Sequence, residues 1–399
     1  MAGAIGVGHR RALTLSVLLC ILFFASFPLE ASRGQTPPTE ERRVRELPGP
    51  TPHWAFVYSG FSSFPSDYPS NVTIVDGDTR QLLGSIDGGF VSSIAISPDQ
   101  RELYSADTFY SRGSRGVRTD VVTVYNLKTL QPVAEVIIPP KRQLSAQDNI
   151  TSGVTPDGRF LLVVNMTPAT SVTVVDVKQR KFVGEIELPG CTEVIVTGVR
   201  RFASLCGDGS LMTTDFDDRA RITARKRSRP FFDIARDPVF AEPVIVYRHA
   251  WFVSYRGTVY PVDLSRDETA FAAAWPLLSH DEAAANWKPG GLQSISADPT
   301  NSVIYVLMHQ GGEWTHKAQG KEVWVYDLMT HKRIRRIALK APARAIMTTA
   351  DDAPLLFAVS EPADALSLAG SIGVYSAVDG KMLGRLNGFP FFFEHIYGP

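Results

Sequence analysis

The chain has 399 residues, 44% of them hydrophobic, which is ample apolar material for one large domain. Lys plus Arg and Asp plus Glu both number 41, so the formal net charge is zero. That balance argues against a nucleic-acid partner, whose phosphates call for a basic excess.

In chain order, the first element is a leader. His9, Arg10 and Arg11 form a positive flank, and residues 13–27 are an apolar run interrupted only by Thr14, Ser16 and Ser26. Pro28 and small Ala31 follow. A charged start, an apolar core and a small-residue end read as a secretory signal peptide over residues 1–31, the alternative being a retained anchor. No second stretch is apolar enough to span a membrane, so no membrane partner is expected after cleavage. Residues 32–52, rich in Pro, Arg, Glu and Gly with no apolar period, read as an extended N-terminal arm.

Cys20 leaves with the leader, and Cys191 and Cys206 remain. In an exported chain two cysteines are expected to pair, rather than persist as buried free thiols.

From residue 53 to 399 one pattern recurs: an alternating β run, an Asp or its substitute, a short turn, and a second strand. It reads VTIVDGDTRQLLGSI from Val72, VTVYNLKTLQPVAEV from Val122 and VTVVDVKQRKFVGEI from Val172. LMTTDF and VYPVDL are weaker copies, and VWVYDLMTHKRIRRI and IGVYSAVDGKMLGRL are clear ones. The seven pivots are Asp76, Asn126, Asp176, Asp215, Asp263, Asp327 and Ser376, each expected to close a hairpin by bonding its own backbone. Between pivots lie second hairpins with Pro-Asp-Gln or Pro-Asp-Gly turns, at residues 98–100 and 156–158. A repeat near 50 residues with several short strands predicts an all-β, seven-bladed β-propeller of the YVTN or WD40 kind. A β-sandwich would not explain seven copies. The first copy has no inner strand upstream of it, so residues 389–397 are expected to supply one and close the ring.

Chemistry is harder to find. There is no Cys-x-x-Cys-His, His-Glu-x-x-His or Gly-x-Ser-x-Gly motif, so no catalytic or metal residues are assigned. His309 and His316 flank a Gly-Gly turn, and read as ordinary loop residues more readily than as a metal pair. The arginine-rich run 219–229 reads as a solvated hairpin edge. Sequons begin at Asn71, Asn149 and Asn165. Four segments fit no structural period: 60–70, 109–120, 283–291 and 309–317. Their exposed aromatics and arginines suggest a protein-docking face more than a catalytic pocket.

These segments carry a resemblance. IDGGF from Ile86, SRGSRGVRTDVVTVY from Ser111, TPATSVTVVDV from Thr167, the Cys191 and CGDGSL region, NWKPGG from Asn286 and THK from Thr315 occur in shared order. In them the chain resembles the large (heavy) subunit of the quinoprotein amine dehydrogenases, the methylamine and aromatic amine dehydrogenase family. The resemblance implies a periplasmic α2β2 heterotetramer whose small (light) subunit carries tryptophan tryptophylquinone, made from two of its own tryptophans. A primary amine would be oxidised there to aldehyde and ammonia. Electrons would pass to a blue copper protein such as amicyanin or azurin. This cofactor-free chain would scaffold the small subunit and line the substrate channel, with Phe61, then Phe64, as its channel phenylalanine. Arg115, Arg118, Trp287 and Trp314 would sit in the docking loops, and the family's disulfide falls on Cys191 and Cys206. The competing readings are a stand-alone propeller enzyme such as a lactonase, and an interaction propeller without a small-subunit partner.

Overall fold

A computed structural model describes residues 46–60, 70–144, 150–265, 268–361, 370–389 and 395–399. The predicted leader, Phe61, Phe64 and Asn149 lie outside the described residues. Seven antiparallel sheets of four or five strands follow one another along the chain. They are the seven blades of a propeller. Blade 1 is built from Trp54–Ser59, Asn71–Asp76 and Gln81–Asp87, and its fourth, inner strand is His395–Tyr397 from the far end of the chain. Val57 faces Ile396 in that pairing, so the C-terminal segment closes the ring as its sequence predicts.

The second strand of a blade reads as a continuous apolar run because both of its faces are covered. In Trp54–Ser59 every residue is buried. Side chains alternate across a strand, so Ala55 and Val57 pack with Phe357 and Ile372 of blade 7, while Trp54, Phe56 and Tyr58 pack with Ile94 and Leu103 of blade 2. The same split recurs at Phe160–Asn165 and Val303–Gln310. Among the described residues there is one hydrophobic cluster for each seam between neighbouring blades, seven in all.

The pivots behave as their chemistry demands. Asp76 accepts the Asp78 N–H at 2.8 Å, Asn126 that of Lys128 at 2.9 Å and Asp327 that of Thr330 at 2.7 Å. Four residues after the pivot the backbone turns left-handed: Arg80, Leu130, Arg180 and His331 have φ of 54–58°, and Gly380 has 76°. In blade 1 the loop is the four residues between the paired Asp76 and Gln81, and the outer ladders carry a bulge a little farther on, at the register shifts Ile74/Val75 and Val124/Tyr125. Blade 4 departs from the reading. Asp215 is not the capping residue; Asp217 accepts the N–H groups of Arg219 and Arg221, both at 2.9 Å, because the turn starts two residues later.

Two other segments differ from their sequence reading. Residues 109–120 are not a loop but the end of a long ribbon, Glu102–Arg112 with Arg115–Asn126, which reverses at Gly113 with φ 68°. The sequon at Asn165 is buried, its amide bonded to Ser171 and Thr173, and so is closed to a glycan.

Candidate functional site

In an up-and-down blade, alternate connections emerge at opposite ends. The hairpins containing the pivots and the Pro-Asp turns lie on one end, here the turn face. The connections between second and third strands, and between blades, lie on the other, the loop face. Arg115, Arg118, Trp287, Trp314, Cys191 and Cys206 all belong to strand ends or connections of the loop face. Gly60 and Ser70 bracket the insertion that carries Phe61 and Phe64.

The blade 2 ribbon projects from this face on a buried polar frame. Asp107, fully buried, accepts hydrogen bonds from Gly89 N–H at 2.9 Å and from the hydroxyls of Ser92, Ser105 and Thr123 at 2.5, 2.8 and 2.8 Å. Gly89 allows no side chain: a Cβ would lie 2.7 Å from the Thr108 carbonyl oxygen. That accounts for the second glycine of IDGGF. Ser70 is held in turn, donating its N–H to Gly89 O at 2.9 Å and accepting the Ser92 N–H at 2.9 Å. Asp120, also fully buried, binds Arg118 through both carboxylate oxygens at 2.8 and 2.7 Å and accepts the Arg142 N–H at 3.0 Å. The Arg142 guanidinium is buried, donating to Thr108 at 2.8 Å and to Val91 O at 2.6 Å. Burial lowers its pKa, opposed by Asp107 and Asp120. Arg118 is therefore committed inward, whereas Arg112, Arg115 and Val117 are exposed at the ribbon's end.

The second feature is an open cleft of about 330 Å³ between blades 5 and 6. Residues 283–291 are not a plain loop. Helix α1, His280–Ala284, starts with a Ser279/Glu282 capping box, and Trp287–Pro289 adds a short strand beside Val303–Gln310. Asn286, at φ 61°, turns the chain between them, and Gly311 N–H binds its carbonyl at 3.1 Å. One wall is a stack of Tyr255 on His316, ring centroids 3.9 Å apart and planes at 11°. Trp287 forms another, packed on Trp324 at 5.1 Å. Trp314 stands 56% exposed on the rim with φ 61°, a costly conformation for a bulky residue.

His309 and His316 do not converge on a common ligand. His309 Nε2 bonds the Thr315 hydroxyl at 2.9 Å, and burial lowers the pKa of both rings. Among the described residues no cluster of three or more His, Cys, Asp or Glu is arranged for a metal ion, and no helix is long and apolar enough to cross a membrane. Cys191 and Cys206 form the disulfide. The 219–229 run is an exposed edge strand with partners on hand: Arg221 pairs with Asp217 at 2.7 Å and Arg227 with Asp208 at 3.1 Å.

Residues 64–390 match the sequence profile of the methylamine dehydrogenase heavy chain family. The chain belongs to that family. The heavy chain of Methylophilus methylotrophus is 32% identical over 320 residues, covering 80% of this chain and 77% of the relative. That of Methylobacillus flagellatus is 30% identical, with coverages of 80% and 78%, and that of Paracoccus versutus 31%, with 78% and 71%. Among solved structures, a hydrazine synthase of Kuenenia stuttgartiensis superposes with a TM-score of 0.54 at 14% identity, over 86% of this chain and 99% of that one. The dihydro-heme d1 dehydrogenase NirN gives 0.52 at 18% identity, over 100% and 88%. These two likenesses bear on the fold alone. Family members are heavy chains, subunits of an amine dehydrogenase that stand beside a light chain, and the cofactor belongs to that other subunit.

The sequence reading did not anticipate Asp107, Asp120 and Arg142. The available signal was an Asp within each of the strand-like stretches 103–109 and 119–125, where a buried carboxylate needs donors.

Proposed function

We propose that this chain is the large, cofactor-free subunit of a periplasmic amine dehydrogenase. Its loop face would seat a small subunit carrying tryptophan tryptophylquinone, in an α2β2 assembly. The observation that carries the proposal is the heavy-chain family match over residues 64–390, joined to a loop face on which the ribbon and the cleft project from a rigid ring. The quinone, in its own subunit, would take two electrons from a primary amine, which with water leaves as aldehyde and ammonia; the electrons would go on to a blue copper protein such as amicyanin or azurin.

This chain's part would be positional. The Asp107 and Asp120 frame fixes the base of the ribbon and Ser70, and with it the ends of the insertion bearing Phe61 and Phe64, the proposed channel residues. Arg115, Trp287 and Trp314 would dock the small subunit directly, while Arg118 would act by bracing the ribbon through Asp120. Residues 1–31 would direct export, and the disulfide is suited to an oxidising compartment.

The test is reconstitution. The purified chain alone should not reduce an artificial dye with any primary amine, and the complex with a quinone-bearing small subunit should. Amine-dependent turnover by the chain alone, or failure of the two subunits to co-purify, would sink the proposal.

A further inference from the structure

The cleft between blades 5 and 6 has a charge that its aromatic walls do not explain. Arg236, Arg256 and Lys288 line it against a single carboxylate, Glu313. Glu313 pairs with Arg256 at 3.0 Å, with both side chains more than half exposed, so the pair is screened and exchangeable. Lys288 donates to the Gly312 carbonyl at 2.7 Å, which orders its ammonium without neutralising it. Arg236 has Asp233 only at 3.8 Å, outside the cleft. The lowered pKa of His316 leaves that ring neutral, adding no charge to the wall. Its Nδ1 is buried and has no hydrogen-bond partner. The cleft is thus net positive, with flat apolar surfaces inside and an exposed tryptophan at the rim.

From this we infer that the cleft is the socket for an acidic segment of the small subunit, one that places an aromatic side chain between Trp287 and the Tyr255–His316 stack and a carboxylate beside Arg236 and Arg256. The inference rests on the small-subunit reading above and deepens it. A cationic segment would find good aromatic faces here but would meet three like charges; an uncharged one would leave the arginines unused. The socket is also prebuilt. Phe240 backs Tyr255 at 4.8 Å, Arg336 lies over Trp287 at 5.1 Å, and the Gly311–Asn286 bond ties one lip to the other. Little ordering is left to be done on binding, which favours affinity. Exposed Trp and Arg together are the residue types that dominate docking energies.

The experiment uses the co-purified complex of full chain and small subunit, with its dissociation followed on dilution by mass photometry at low and high salt. The double variant Arg236→Glu/Arg256→Glu should raise the dissociation constant by about tenfold or more and flatten its salt dependence. Trp314→Ala should weaken the complex at both salt concentrations alike. Lys332→Glu, on the turn face, should change nothing, and Arg256→Lys should retain most of the affinity. Thermal midpoints of the isolated variants establish that each is folded. Unchanged or tighter assembly of both cleft variants overturns the socket while leaving the small-subunit reading intact. Failure of the unaltered chain to assemble at all overturns that reading, and the socket with it.

Discussion

The side chain of Gln293 binds the main chain of Ile396 twice, donating Nε2–H to its carbonyl and accepting its N–H through Oε1, both at 2.8 Å. A primary amide thus supplies the two hydrogen bonds that a further strand would give to the ring-closing strand. Gln293 is itself fixed, its carbonyl accepting the Ile346 N–H at 3.0 Å and its N–H reaching Arg344 O at 3.2 Å. The short strand His395–Tyr397 is therefore held by Val57 on one edge and Gln293 on the other. Gln293→Ala would orphan a buried donor and a buried acceptor, at a cost of about 2–4 kcal/mol. Urea denaturation should report that loss, and amide exchange should show Ile396 opening before the neighbouring blade. An unchanged midpoint would mean that Val57 and packing alone hold the seam.

The same seam carries a pH-dependent staple on the turn face. His53 sits 2.7 Å from Asp78 and 3.2 Å from Asp351, the latter from blade 7. Burial pulls its pKa down, but the hydrogen bonds and charges of the two carboxylates outweigh that and raise it. Asp351 is shifted the other way, lowered by Thr349, the Ala353 N–H and His53 against the effect of burial. A histidine raised in the folded state contributes stability that is complete below its unfolded value, about 6.5, and disappears as pH climbs through the folded value. His53→Gln should therefore lower the thermal midpoint most below pH 6, with the gap to the unaltered chain narrowing toward pH 8. A gap independent of pH would show that the imidazolium is not part of the staple.

How much of this was legible beforehand depended on whether a feature repeats. Seven pivots at near-regular spacing gave the blades, because each hairpin needs its own turn chemistry and writes it locally. Asp215 misled because Asp217, two residues on, offers the same carboxylate. The ribbon at 109–120 was misread for a related reason: Arg, Gly and Ser without apolar alternation resemble a loop, yet Tyr110 still pairs across to Arg118 and Phe109 to Thr119. Features made by distant residues left no local mark. Nothing about Gln293 foretells Ile396, and the Asp107 and Asp120 frame joins segments whose contact only the closed ring creates. The cleft was half visible: Trp287 and Trp314 stood out as unexplained aromatics, but Arg236, Arg256 and Tyr255 come from other connections and carry no shared motif.

The disulfide joins directly opposed residues, Cys191 at the start of one strand of blade 4 and Cys206 at the end of the next. Chain-entropy reasoning for a separation of 15 residues gives about 3 kcal/mol. That stabilisation comes from constraining the unfolded chain, so the loss in Cys191→Ser/Cys206→Ser should be close to that figure. Equilibrium denaturation with and without dithiothreitol would measure it. Reductant should shift the unaltered chain and leave the double variant where it is; equal shifts in both would point to an effect other than this bond.

Asp107 offers the sharpest contrast between two substitutions at one site. Its Oδ1 accepts from Gly89 N–H, Ser92 and Ser105, and its Oδ2 from Thr123. In Asp107→Asn the amide oxygen can keep the three donors on the Oδ1 side, while the NH2 faces Thr123, whose hydroxyl can rotate to accept. The expected cost is about 1 kcal/mol, that of exchanging one charge-assisted arrangement for a neutral one. Asp107→Ala leaves the Gly89 N–H and three hydroxyls without their acceptor in a site closed to solvent, for about 3 kcal/mol or more. Because Gly89 also holds Ser70, the alanine variant should show faster amide exchange at Gly89 and Ser70 than the asparagine variant at matched denaturant. Equal destabilisation by the two would mean that the negative charge, set against buried Arg142, matters more than the count of hydrogen bonds.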